Sequence, residues 1–64
     1  MNLYKIEPKK PSGRFVLATY DQGLLVEIKL CGEGWTAEML KAMFTSTPIT
    51  EDFPTETKLN FIKI

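Results

Sequence analysis

Histidine is absent from this chain of 64 residues, and cysteine occurs once, as Cys31. The first absence removes the side chain that most often serves as general base and metal ligand near neutral pH. The second removes any internal disulfide, and one thiol cannot build a structural zinc site of four soft ligands. Net charge is missing too, because eight basic residues balance eight acidic ones. A neutral domain lacks the long-range positive field that draws in nucleic acid. No apolar run reaches the length of a membrane span. The opening Met1-Asn2-Leu3-Tyr4-Lys5 has the form of neither a signal peptide nor a transit peptide. These absences predict a protein without metal, cofactor or membrane contact, and a lone thiol fits a reducing cytoplasm.

What is present is an ordinary globular composition, 44% hydrophobic and 25% charged. The length allows one domain, residues 1–64. A chain this short buries only about 60% of the surface its unfolded form exposes. Its expected stability is on the order of 3–5 kcal/mol. With disulfides and metals removed, association is the remaining supplement, with a second copy or with more polypeptide.

Periodicity predicts the order β-β-β-α-β. Leu3 to Glu7 reads as a first strand, with Tyr4 and Ile6 on one side. Two prolines and a glycine in Pro8-Lys9-Lys10-Pro11-Ser12-Gly13 interrupt it. Arg14 to Tyr20 reads as a second strand. Asp21-Gln22-Gly23 reads as a three-residue hairpin loop, with Gly23 in the left-handed position. In the third strand, Leu24, Val26, Ile28 and Leu30 alternate with Glu27 and Lys29, which predicts one apolar face.

Thr36 supplies a cap for the helix that follows, and Glu38 suits its positive N-terminal end. Trp35 and Leu40 have the spacing of a hydrophobic staple. Met39, Leu40, Met43 and Phe44 form its apolar stripe, and Pro48 ends it. Thr50-Glu51-Asp52-Phe53 reads as a single capped turn with its acids in the first turn. Lys58 to Ile64 reads as the last strand. The expected architecture is α+β: a small, mostly antiparallel sheet with one helix packed across one face.

Gly32-Glu33-Gly34-Trp35-Thr36-Ala37 matches the G-x-G-x-x-A dinucleotide pattern, with Glu51 and Asp52 about 20 residues on. The preceding strand belongs to a hairpin, however, and Trp35 would crowd a diphosphate, so the run reads as a strand-to-helix link. Cys31-Gly32 before Trp35 echoes a papain-type nucleophile, but no imidazole is available to hold a thiolate. Cys31 therefore reads as a small buried apolar residue. Lys5, Lys9, Lys10 and Arg14 form the one basic cluster that would meet nucleic acid.

The informative surplus is apolar. With the helix covering Leu24, Val26 and Ile28, the other face would still carry some of Tyr4, Ile6, Val16, Tyr20 and Leu25. Leu59 and Phe61 point one way in the last strand, while Ile62 and Ile64 include the other. The chain ends on an apolar strand, and bare strand edges invite pairing.

Tyr4-Lys5-Ile6, Pro8-Lys9-Lys10, Ser12-Gly13, Tyr20 with Gly23, the Thr36 helix start, and Pro48 with Thr50-Glu51 span most of the chain. Together they resemble the N-terminal region of uncharacterised proteins encoded by phages and mobile elements of gut bacteria. The resemblance implies a leading module of a longer protein, tied to phage DNA metabolism. It carries no catalytic residues.

The expected function is a non-enzymatic protein-interaction module. It would bury its uncovered sheet face or last strand edge through Tyr4, Val16, Tyr20, Phe61 and Ile62. Its partner would be a second copy or further C-terminal sequence. The alternative is a nucleic-acid-binding accessory domain using Lys5, Lys9, Lys10 and Arg14.

Overall fold

A computed structural model describes residues 1–10 and 12–64; Pro11 lies outside the described residues. Four strands, β1 (Asn2–Pro8), β2 (Phe15–Asp21), β3 (Leu24–Cys31) and β4 (Leu59–Lys63), form one antiparallel sheet in the order β3-β2-β1-β4. A single helix, α1 (Ala37–Ser46), lies between β3 and β4 in the chain. The expected α+β architecture is the observed one. The two earliest strands take the centre of the sheet, and β3 and β4 form its edges.

Register assigns the faces. Ile6 pairs with Val16 and Phe61, Tyr4 with Ala18, and Ala18 with Ile28. These residues therefore share one side. Ile6, Val16, Ala18, Tyr20, Met43 and Leu59 form the buried core there, with Tyr4, Leu25, Ile28, Trp35, Phe53 and Phe61 packed against it. The expectation that Tyr4, Ile6, Val16, Tyr20 and Leu25 include residues of an uncovered face is corrected: all five lie on the helix side.

The cause is a bulge. Thr19 pairs with Glu27, but Tyr20 pairs with Leu25, so Val26 is an extra residue in β3. A one-residue shift moves side chains to the opposite face. Leu25 joins Ile28 on the core side, and the continuous alternation read through Leu24, Val26 and Ile28 is broken. The hairpin also differs from expectation. Asp21 pairs with Leu24, leaving a two-residue turn in which Gln22 (φ 53°) and Gly23 (φ 82°) are both left-handed. That combination matches the right-handed twist of the strands it joins.

The helix begins as expected. Thr36 Oγ1 accepts from the Met39 amide at 3.2 Å. At its end, the Thr47 amide and hydroxyl both donate to the Met43 carbonyl, at 3.0 and 2.6 Å. Ten residues make a marginal isolated helix. Packing holds it through Met43, its one buried residue. Phe44, from the expected stripe, is half exposed.

The segment after α1 replaces the expected helical turn. The Leu25 amide donates to the Ile49 carbonyl at 2.7 Å, the Glu51 amide donates to the Gly23 carbonyl at 3.0 Å, and Thr50 bridges Leu24. Residues 49–51 thus extend the sheet briefly beyond the start of β3. Phe53 then reaches back over the core. Its ring lies edge-on to Tyr4 and Tyr20, with centroids at 4.7 and 5.6 Å, and stacks on Phe61 at 4.6 Å.

Candidate functional site

One helix and one short segment share the work of covering four strands. The segment carrying Phe53 covers Tyr4, Tyr20 and Phe61. The helix turns Met43 to the core. At about 100° per residue, Met39, Ala42 and Ser46 lie on one flank of Met43, while Leu40 and Phe44 lie on the other. Both flanks border open space.

On the Phe44 flank, Leu25, Val26, Glu27 and Ile28 form a shallow groove of about 330 Å³ with the phenylalanine ring, apolar but for the glutamate. Val26 is 57% exposed and Phe44 50%. The bulge creates this surface, because it displaces Val26 from the regular alternation. Ile49, 73% exposed, is brought to the same end of β3 by its carbonyl's bond to Leu25. Leu30 lies further along the strand, paired with Val16.

The opposite flank faces a cleft of about 230 Å³, lined by Trp35, Met39 and Met43, by Pro8 of β1 and Leu59 of β4, and by Arg14 just before β2. The glycines of the β3–α1 link are explained here. A Cβ on Gly32 would lie 2.6 Å from the Gly13 carbonyl oxygen and 3.1 Å from Arg14 Cα; one on Gly34 would lie 3.4 Å from an Arg14 guanidinium nitrogen. Both glycines have left-handed φ. The link is thus shaped around Arg14, and the Trp35 indole N–H closes it by donating to the Cys31 carbonyl at 3.3 Å.

The uncovered sheet face is mixed rather than apolar. Lys5 pairs with Leu17 and Ile62, Thr19 with Leu3 and Glu27, and Leu17 with Lys29. Polar partners among apolar ones are the mark of a wet sheet face. Cys31, expected to be buried, is half-buried on this side opposite Phe15.

Of the five expected interaction residues, Val16 and Tyr20 are fully buried. Burial beneath the chain's own covering withdraws both from any surface. Tyr4 and Phe61 are half-buried around Phe53. Ile62 alone is exposed, at 43%. The reason is again the face assignment: four of the five belong to the core side, and only Ile62 to the other.

The basic cluster is split. Lys5 Nζ lies 3.5 Å from a Glu7 carboxylate oxygen and 4.7 Å from the Phe15 ring centroid. Lys9 and Lys10 are exposed, and the Lys9 amide donates to the Lys58 carbonyl. Arg14 is turned into the glycine link.

Glu51 is the most heavily engaged acid among the described residues. It accepts from the Tyr4 hydroxyl at 2.6 Å and from the Asn2 amide at 3.0 and 3.2 Å. The Tyr4 bond holds the Glu51 carboxyl below its ordinary range, against an opposing effect of partial desolvation, with Asn2, Lys63 and the N-terminus assisting. The same bond raises the Tyr4 phenol. Sequence reasoning placed Glu51 in a helical turn and missed this clasp, because no local pattern links residues 2, 4 and 51. Among the described residues, no group of three or more Cys, Asp or Glu is placed to hold a metal, and no helix is long and apolar enough to cross a membrane. Comparison of the chain with known protein families, with curated proteins and with solved structures returns no match.

Proposed function

We propose that this domain is a non-enzymatic protein-interaction module that buries the groove between β3 and Phe44 against another polypeptide. The partner is a second copy or further sequence of the same chain, in keeping with the leading-module role that the phage-protein resemblance implies. The carrying observation is the contiguous exposure of Val26 and Phe44 around one groove beside an edge strand. Edge strands with apolar surroundings are natural templates for pairing. Ile62 and the mixed open face offer less, because Lys5 and Lys29 interrupt them. The nucleic-acid reading has less support as well, since Glu7 partners Lys5 and Arg14 is drawn into the glycine link.

Light scattering over a wide concentration range tests the proposal. The expected outcome is a molar mass that rises with concentration in the parent chain. It should stay monomeric in Val26→Asp and Phe44→Asp, while Ile62→Asp behaves like the parent. Because both positions are at least half exposed, folding should survive, with Phe44→Asp costing about 1–2 kcal/mol for the lost ring contacts and for an acid in the last turn of α1. A chain that is monomeric throughout, with Val26 and Phe44 still open to a soluble paramagnetic probe when more of the same polypeptide is attached, would refute it.

A further inference from the structure

The outer edge of β3 is open along only part of its length. Residues 49–51 occupy its start, where the Leu25 amide donates to the Ile49 carbonyl and Thr50 bridges Leu24. The bulge at Val26 follows. Both devices blunt an edge against pairing. Beyond them the register with β2 is regular. The Leu25 amide points outward, so the Tyr20–Leu25 pair is an unbonded one in the β2–β3 ladder. Antiparallel ladders alternate bonded and unbonded pairs. Ala18 and Val16 are therefore the next unbonded positions of β2. Their partners are Ile28 and Leu30, and these two residues turn their amide and carbonyl groups outward.

Charge decides which strand can use those groups. Glu27 and Lys29, both exposed, flank Ile28 with opposite signs. A second β3 laid antiparallel along the first meets outward groups with outward groups in only a few registers. With Ile28 facing the partner's Ile28, Glu27 faces the partner's Lys29 and Lys29 faces the partner's Glu27. Two-fold symmetry makes every such contact twice. Leu30, 37% exposed, then faces the partner's Val26, itself 57% exposed. With Ile28 facing the partner's Leu30 instead, Lys29 would meet the partner's Lys29, and like charges directly opposite each other destabilise a strand pair. An axis at Leu30 forgoes both ion pairs. The register centred on Ile28 is the complementary one.

We propose that the partner at the Val26–Phe44 groove is a second copy of this chain, paired β3 to β3 about a two-fold axis at Ile28. The inference rests on the interaction reading above and names its partner and register. The two four-stranded sheets join into one across the axis. The seam runs beside the groove of each copy, because Val26, Glu27 and Ile28 belong to both.

Charge reversal, read by sedimentation equilibrium at low salt, tests the register. Glu27→Lys alone and Lys29→Glu alone each turn two attractions into two repulsions, and each should weaken dimerisation about tenfold or more. The double variant Glu27→Lys/Lys29→Glu keeps the parent's net charge and restores both pairs, so it should dimerise like the parent. Both positions are exposed, so all three variants should fold, which circular dichroism checks. In a mixture of labelled and unlabelled parent chain, isotope-filtered NOEs should join Val26 to the partner's Leu30. A parent that stays monomeric at the highest concentration reached, a dimer indifferent to both single reversals, or a double variant as weak as the singles would overturn the proposal. The two readings fail separately. A dimer lost in Val26→Asp but indifferent to charge reversal overturns this register and keeps the groove as the interface. A monomer whose groove is covered only by attached sequence keeps the interaction reading and removes the second copy.

Discussion

Glu51 ties the segment after the helix to the first strand, and the tie depends on pH. Its carboxyl titrates below the ordinary range in the folded chain, chiefly because the Tyr4 hydroxyl donates to it. The clasp therefore stabilises the fold fully above the unfolded-state glutamate value, and the benefit is lost as pH falls through the lowered folded value. Chemical denaturation at a series of pH values should show stability declining on the acid side in the parent and a flatter acid limb in Glu51→Gln. One link glycine and the hairpin glycine make a second residue-scale comparison. Gly32→Ala sets a Cβ against backbone atoms in a left-handed conformation, and should cost about 2–4 kcal/mol. Gly23→Ala meets nothing within 4 Å, so only the backbone term of about 1–2 kcal/mol applies. Thermal melts of the two variants should separate them clearly.

Among the elements, α1 is the least self-sufficient. It is short, buries one residue, and has no basic residue in its last turn. Its Thr36 cap was legible in the sequence because capping is local: a hydroxyl, an acid two residues on and an apolar stripe lie within a few positions. Thr36→Ala should lower stability by about 1 kcal/mol in urea denaturation, with the loss of amide protection concentrated at Met39. The third strand shows the converse. Its alternation of Leu24, Val26, Ile28 and Leu30 was the clearest periodic signal in the chain, yet the bulge at Val26 divides it. Periodicity records polarity along one strand. The position of an extra residue depends on where the partner strand's Thr19 and Tyr20 fall, and on the tight turn that sets the register.

At the scale of the molecule, a radius of gyration of 11.1 Å is close to the roughly 11 Å expected of a compact chain of this length. Compactness is reached with little covering material: one helix, one aromatic-bearing segment and a sheet open on its other side. The apolar surplus seen in the sequence is real, but it is placed differently. Most of it is consumed in the core around Tyr20 and Phe53, and the remainder is divided between the two flanks of the helix and scattered residues such as Ile62 on the other face. The Val26–Phe44 association test probes one of those flanks.

The sequence by itself determined the element order, the helix start at Thr36, the left-handed Gly23 and the opposite outlook of Phe61 and Ile62 in the last strand. Each follows from side-chain period or backbone preference within a few residues. Tertiary structure alone decided the bulge, the seating of Arg14 among glycines, the insertion of Phe53 among Tyr4, Tyr20 and Phe61, and the Glu51 clasp. These join groups far apart in the chain, such as Tyr20 with the Pro48 carbonyl and Asn2 with Glu51. Local propensity holds no record of such pairs; they exist because a single helix leaves most of one sheet face to be covered by whatever else the chain can bring to it.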